Sequence, residues 1–195
     1  MYGYEIAESR IGYGKGTKQI LYLVQFKSKD ICKDLLKDMS YNTTKKVKLP
    51  KQWFEFSKKD MSRIARNLFD ADGGCSLRIS YPKRKKCFEI EREIFLGCSN
   101  QKLRNQYKKF LAKIGIRTGE SSNKLTITNR KMIQKFIDLI DFSENVLIGY
   151  DSKHWQGLEK RKLLRIIIDT YSIPWGHIQN FNNKEEIYNF WPNTR

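Results

Sequence analysis

Apolar positions along the chain change period, and each change marks an element. Met61, Ile64, Ala65 and Leu68 recur at i, i+3, i+4 and i+7, one stripe of a helix. Ser57 stands ahead of them as N-cap, with Asp60 three residues on in a variant capping box. Gly73 and Gly74 follow, as a left-handed C-cap would require. Beyond them the period drops to two. Leu77 and Ile79 alternate with Ser76, Arg78 and Ser80 in a strand over 75–81. After a basic turn at 81–86, a second strand over 87–96 puts Phe88, Ile90, Ile94 and Leu96 on one face. Glu89, Glu91 and Glu93 occupy the other. Such alternation predicts an antiparallel pair with one buried face.

The order then repeats. Leu103, Tyr107, Phe110, Leu111 and Ile114 stripe a helix opened by Ser99-Asn100 and ended by Gly115. Segments 116–118 and 124–128 read as a shorter hairpin across a polar loop at 119–123. Thr128 or Asn129 caps a helix to residue 140, and a last helix spans about 158–170 after an irregular stretch at 141–156. Upstream, strands at 4–11 and 18–27 flank a glycine-rich loop. Its spacing is not that of a phosphate-binding loop, so it reads as a hairpin turn. Ser28-Lys29-Asp30 opens a helix to about residue 39, and a basic connector leads to Pro50, Trp53 and Phe54. The pattern predicts an α+β fold whose hairpins form an antiparallel sheet with helices packed on one face. Residues 1–45 form an N-terminal extension or degenerate half-repeat, 46–170 the main domain, and 171–195 an aromatic, Asn-rich docking tail.

Charge changes the picture. Lys and Arg number 38 against 21 Asp and Glu, a net charge of +17 spread along the chain. A compact protein this basic repels itself, which points to a polyanionic partner, nucleic acid first. A membrane partner is not expected. No basic amphipathic helix rich in exposed aromatics is seen, and no apolar run approaches the roughly 18 residues of a spanning helix. Met1-Tyr2-Gly3-Tyr4-Glu5 carries no signal-peptide pattern, so the expected location is intracellular, cytoplasmic or organellar. Cys32, Cys75, Cys87 and Cys98 lack paired C-x-x-C spacing and read as buried residues or free thiols rather than a zinc site. His154 beside Trp155 reads as a surface or packing residue rather than a catalyst.

Asp70 and Asp72 end the central helix, the wrong end of its dipole for anions. A bound cation is the simplest remedy. The string Leu68-Phe69-Asp70-Ala71-Asp72-Gly73-Gly74 resembles the core of the motif that names the LAGLIDADG homing endonucleases. The helix, hairpin, helix, hairpin, helix order around it, over roughly residues 45–170, resembles that family too. The resemblance implies an αββαββα unit with a saddle-shaped antiparallel sheet, two motif helices packed together, and hydrolysis of DNA phosphodiester bonds with Mg²⁺ or Mn²⁺. Asp72 would be the metal ligand and a catalytic residue. Ala71 would offer its carbonyl to the metal, and Lys160, or after it Lys153, would assist catalysis. Asp70, Gly73 and Asn67 would be structural, with Asp70 supporting the helix end. Ser76, Arg78, Ser80, Lys83, Arg84, Lys85, Lys86, Arg117 and Lys124 would contact double-stranded DNA.

Only one such motif is visible, which implies a homodimer on a near-palindromic target. The chain begins at Met1 and ends without a terminal His-Asn pair, so it is expected to be free-standing rather than part of a self-splicing protein. Asn67 stands where the family favours a small residue. Glu89, Glu91 and Glu93 would face DNA unless a bulge near Arg92 re-aims the strand, or unless they pair with Arg78 and the basic turn. A non-cleaving DNA-binding regulator, or a maturase acting on intron RNA, is the alternative within the same fold.

Overall fold

The computed structural model describes residues 5–12, 18–25, 48–81, 88–149, 152, 154–172 and 186, the first two segments as backbone only. The chain divides into two units, Met1–Lys48 and Leu49–Arg195. In the first, β1 (Glu5–Gly12) and β2 (Lys18–Gln25) form an antiparallel hairpin in register from Glu5↔Gln25 to Gly12↔Lys18. The expected helix at 28–39 and most of the expected tail lie outside the described residues.

The second unit is α+β. Its order is α1 (Lys58–Asp72), β3 (Gly73–Ser80), β4 (Glu89–Gly97), α2 (Gln101–Lys113), β5 (Gly119–Ser121), β6 (Lys124–Ile127), α3 (Arg130–Leu139) and α4 (Lys160–Asp169). A short 3-10 turn, Lys51–Phe54, precedes α1 and sets Trp53 and Phe54 against Phe110. Another, Thr170–Ser172, follows α4. The four strands form one antiparallel sheet in the order β3-β4-β6-β5.

Helix starts follow the side chains the sequence offered. The Ser57 hydroxyl accepts from the Asp60 amide at 3.2 Å and donates to the Asp60 carboxylate at 2.6 Å. Asn100 caps α2 and Asn129 caps α3. Gly115 is left-handed (φ 87°), and bonds from Gly115 to Ala112 and from Ile116 to Leu111 complete a Schellman motif. That motif turns Ile116 into the core, where it is fully buried. The short hairpin is consequently displaced from the expected 116–118: Gly119 pairs with Thr126 and Ser121 with Lys124 across a two-residue turn. Glu120, on this strand, pairs with the buried Arg104 at 3.0 Å.

One core holds the unit together. Met61, Ala65 and Phe69 of α1 pack with Leu77, Ile94, Leu96, Leu125 and Ile127 of the sheet and with Phe110, Phe136, Leu163 and Ile167 of the other helices. Phe69 meets Phe136 edge-on at 4.8 Å. The described helices of this unit pack into that core on one side of the sheet; on the other side Arg78 and Glu91 are exposed and Ser76, Ser80, Glu89 and Glu93 half-buried.

Candidate functional site

The site is built where α1 becomes β3 with no loop between them. Gly73 is extended (φ −107°, ψ 179°), and its amide bonds to the Phe69 carbonyl. The expected left-handed cap does not form here. Both glycines are required by space instead. A Cβ on Gly73 would lie 2.8 Å from the Phe69 Cα and carbonyl oxygen, and one on Gly74 2.8 Å from the Phe95 ring.

With no left-handed cap, the carbonyls at the end of α1 need another donor, and Lys160 supplies it. Its ammonium, brought in at the first position of α4, donates to the carbonyls of Phe69 (3.3 Å), Asp70 (2.8 Å) and Gly73 (2.7 Å). A cation there also meets the negative end of the helix dipole. Burial lowers the Lys160 pKa; the nearby negative charges, Asp70 foremost, oppose that shift. Lys160, expected to assist catalysis, lies at the end of α1 that carries Asp70 and Asp72, and there its ammonium holds the helix end through three backbone carbonyls. Lys153 lies outside the described residues.

The two aspartates have different surroundings. Asp70 accepts from the Ser143 amide at 3.1 Å, tying α1 to the loop after α3. Asp72 is exposed, and its carboxylate makes no hydrogen bond or ion pair among the described residues. Its charge reaches the half-buried Cys98 and Tyr107. The Tyr107 hydroxyl is pushed up to about 12, chiefly by burial, with Cys98 and Asp72 adding to it. Ile64 and Leu68 of α1 are half-buried and pack against the core, while Asn67 and Ala71 beside them are exposed.

The resemblance implies a divalent metal at Asp72 and the Ala71 carbonyl. Among the described residues no group of three or more His, Cys, Asp or Glu could hold a metal. An exposed carboxylate at the carboxyl end of a helix nevertheless suits Mg²⁺, which keeps several waters and takes one or two carboxylates together with phosphate oxygens. The Asp72 carboxylate and the Ala71 carbonyl are oxygen donors of the kind that ion takes.

On the open face of the sheet, Ser76, Arg78 and Ser80 of β3 lie directly opposite Glu93, Glu91 and Glu89 of β4. The register is unbroken from Gly73↔Leu96 to Ser80↔Glu89, so no bulge re-aims Arg92. Arg92 instead points away from this face, donates to the Thr170 hydroxyl and carbonyl, and sits 4.3 Å over the Tyr171 ring. Glu93 pairs with Lys124 at 2.6 Å. Ser76, Arg78, Glu91, Glu93, Lys124 and Tyr171 line a cleft of about 540 Å³. The strands thus bring Ser76, Arg78, Ser80 and Lys124 to one face, together with three acids. Arg117 is exposed but lies outside the strands, and Lys83, Arg84, Lys85 and Lys86 fall outside the described residues.

A second hub went unread in the sequence. Asp141, left-handed (φ 52°) and buried, accepts from Arg161 at 3.1 Å and Arg165 at 2.6 Å. Arg66 of α1 donates to the adjacent Ile140 carbonyl at 2.6 Å. The i, i+4 spacing of Arg161 and Arg165 was the available signal. Trp155 donates from its indole to the Leu77 carbonyl at 3.1 Å, covering part of the β3 edge.

Comparison with known protein families, with curated proteins and with solved structures returns no match for the chain. Among the described residues, no helix is long and apolar enough to cross a membrane.

Proposed function

We propose that the protein is a LAGLIDADG-type DNA endonuclease, which cuts a long, near-palindromic duplex site as a homodimer. The observation that carries this reading is the placement of Asp72. It is exposed at the helix-to-strand junction with no hydrogen bond or ion pair among the described residues, beside the exposed Ala71 and at one end of an antiparallel sheet. The flank at Ile64, Asn67, Leu68 and Ala71 would receive the same flank of a second copy, bringing two Asp72 carboxylates together. Asp72 and the Ala71 carbonyl would hold the divalent ion. When bound, that ion supplies an activated water and charge stabilisation for phosphodiester hydrolysis. Lys160 keeps the end of α1 in place, and Asp70 anchors it to Ser143.

The test is incubation of the full chain with a randomised duplex library and Mg²⁺ at moderate salt, since so basic a chain binds any polyanion at low ionic strength. One cleaved family of sites is expected, and Asp72→Asn should lower cutting by about 100-fold or more while leaving site binding within about threefold. Cutting unchanged in Asp72→Asn would overturn the assignment. A second reading, a non-cleaving DNA-binding regulator or a maturase on intron RNA, is favoured by one observation: the Lys160 ammonium is directed at three backbone carbonyls of its own chain. It predicts specific binding with no strand scission at any Mg²⁺ or Mn²⁺ concentration.

A further inference from the structure

Resting on the DNA-binding reading above, the geometry points to Arg78 and Glu91 as a cross-strand pair that reads one G·C base pair in the major groove, Arg78 taking the guanine and Glu91 the cytosine. The two residues are direct partners in the β3–β4 register, side by side on the open face. Both are exposed. Their opposite charges face the same cleft, yet they form no ion pair with each other or with any other described residue. Their neighbours differ. Glu93 is neutralised by Lys124 at 2.6 Å. Arg92, which also lines the cleft, is engaged by Thr170 and Tyr171. Arg78 and Glu91 are the charged groups of the cleft with no hydrogen bond or ion pair among the described residues.

The chemistry of that pair is selective. A carboxylate beside DNA is repelled by phosphate and by the guanine and thymine acceptors, and finds favourable contact only with a base amino group. A guanidinium seeks two acceptors at once. The major-groove edge of a G·C pair presents that set in one row, N7 and O6 of guanine followed by the N4 amino group of cytosine. An A·T pair offers a single amino group flanked by acceptors, which leaves Arg78 without its bidentate partner. The acids that make the sheet look unsuited to DNA become a source of discrimination, because Glu91 costs binding energy on every wrong base. Spacing agrees. Alternate residues of a strand repeat at about 6.6–6.8 Å, which is two base-pair steps of about 3.4 Å each. Ser76 and Ser80, two positions either side of Arg78, therefore fall on base pairs two steps away and leave one G·C pair to the Arg78–Glu91 couple.

The test is selection from a randomised duplex DNA library by the full chain at moderate, fixed salt, repeated with Arg78→Ala, Glu91→Gln and the double variant. The wild-type motif should contain a fixed G·C pair in each half-site. Each single variant should lose discrimination at that pair by at least about fivefold, the lower end for one good bidentate contact, and leave other positions intact. The double variant should lose no more than the worse single one, as expected of two residues serving one base pair. If Arg78→Ala instead weakens all sequences alike and lowers the salt slope by about one, Arg78 is a phosphate contact and the assignment falls. An enriched wild-type motif that neither variant alters also overturns it, while sparing the DNA-binding reading. Failure of the wild type to enrich any motif overturns both.

Discussion

At the scale of single residues, Lys160 is the least expected result. A lysine placed near two aspartates in a basic protein looks like a catalytic helper, and in the fold its ammonium also closes a helix. Replacing it with Met leaves the Asp70 and Gly73 carbonyls without their charged donor and should destabilise the unit by about 2–3 kcal/mol, measurable by urea unfolding. Lys160→Arg should restore little, since a planar guanidinium cannot converge on three carbonyls. The pH dependence has a definite sign. Burial lowers the Lys160 pKa below its ordinary value of 10.5. Between the two values the unfolded chain binds more protons than the folded one, so the contribution of this group to stability rises with pH through that window and is level on either side of it. The stability difference between wild type and Lys160→Met should therefore grow as pH approaches 10.5; a flat difference would mean the amine is not held as described. Asp141 makes the complementary case, a buried acid between two arginines whose only sequence signature was their spacing.

At the scale of elements, the direct passage from α1 to β3 governs the site. Gly74→Ala pushes a methyl into the Phe95 ring and should cost about 1–3 kcal/mol, most of it regained when Phe95→Leu is added. Gly73→Ala meets the Phe69 backbone, which no side-chain change can relieve, so its cost should persist in every such double variant. Thermal unfolding of the four chains decides between these outcomes. The same junction divides what the sequence revealed from what it did not. Caps and periodicities are local, so α1, the β3–β4 pair and the three asparagine or serine N-caps could be read directly. The role of the glycine pair was misread, because a turn and a close approach ask for the same residue. The second hairpin was displaced because a Schellman motif claimed Ile116 for the core, a choice made by tertiary packing. The side chains at the candidate site were legible as residue types. The partner of Lys160 was not, since it lies 90 positions away.

At the scale of the whole molecule, the proposed dimer and DNA contacts would fall on the exposed Asn67 and Ala71 of α1 and on the sheet face that carries Arg78 and Glu91. Ala71 is exposed, so Ala71→Arg should leave the fold intact while weakening self-association by about 30-fold or more, as for a residue at the centre of an interface. Sedimentation at several concentrations reads the first effect and circular dichroism the second. A variant that dimerises as the wild type does would move the interface elsewhere. The net charge of +17 does not reside on the described strands of the open face, where Arg78 and Lys124 meet Glu89, Glu91 and Glu93. General attraction to a polyanion must come from other surfaces, and the sheet is left to discriminate.

The long reach of Lys160 also fixes an order of events during synthesis. A ribosome finishes α1 and the first hairpin well before residue 160 is joined, so the nascent chain carries the acidic end of its central helix uncapped until α4 emerges. The Asp72 end of the molecule is accordingly among the last parts to settle, and a chain interrupted before α4 would carry its aspartates on a fraying helix.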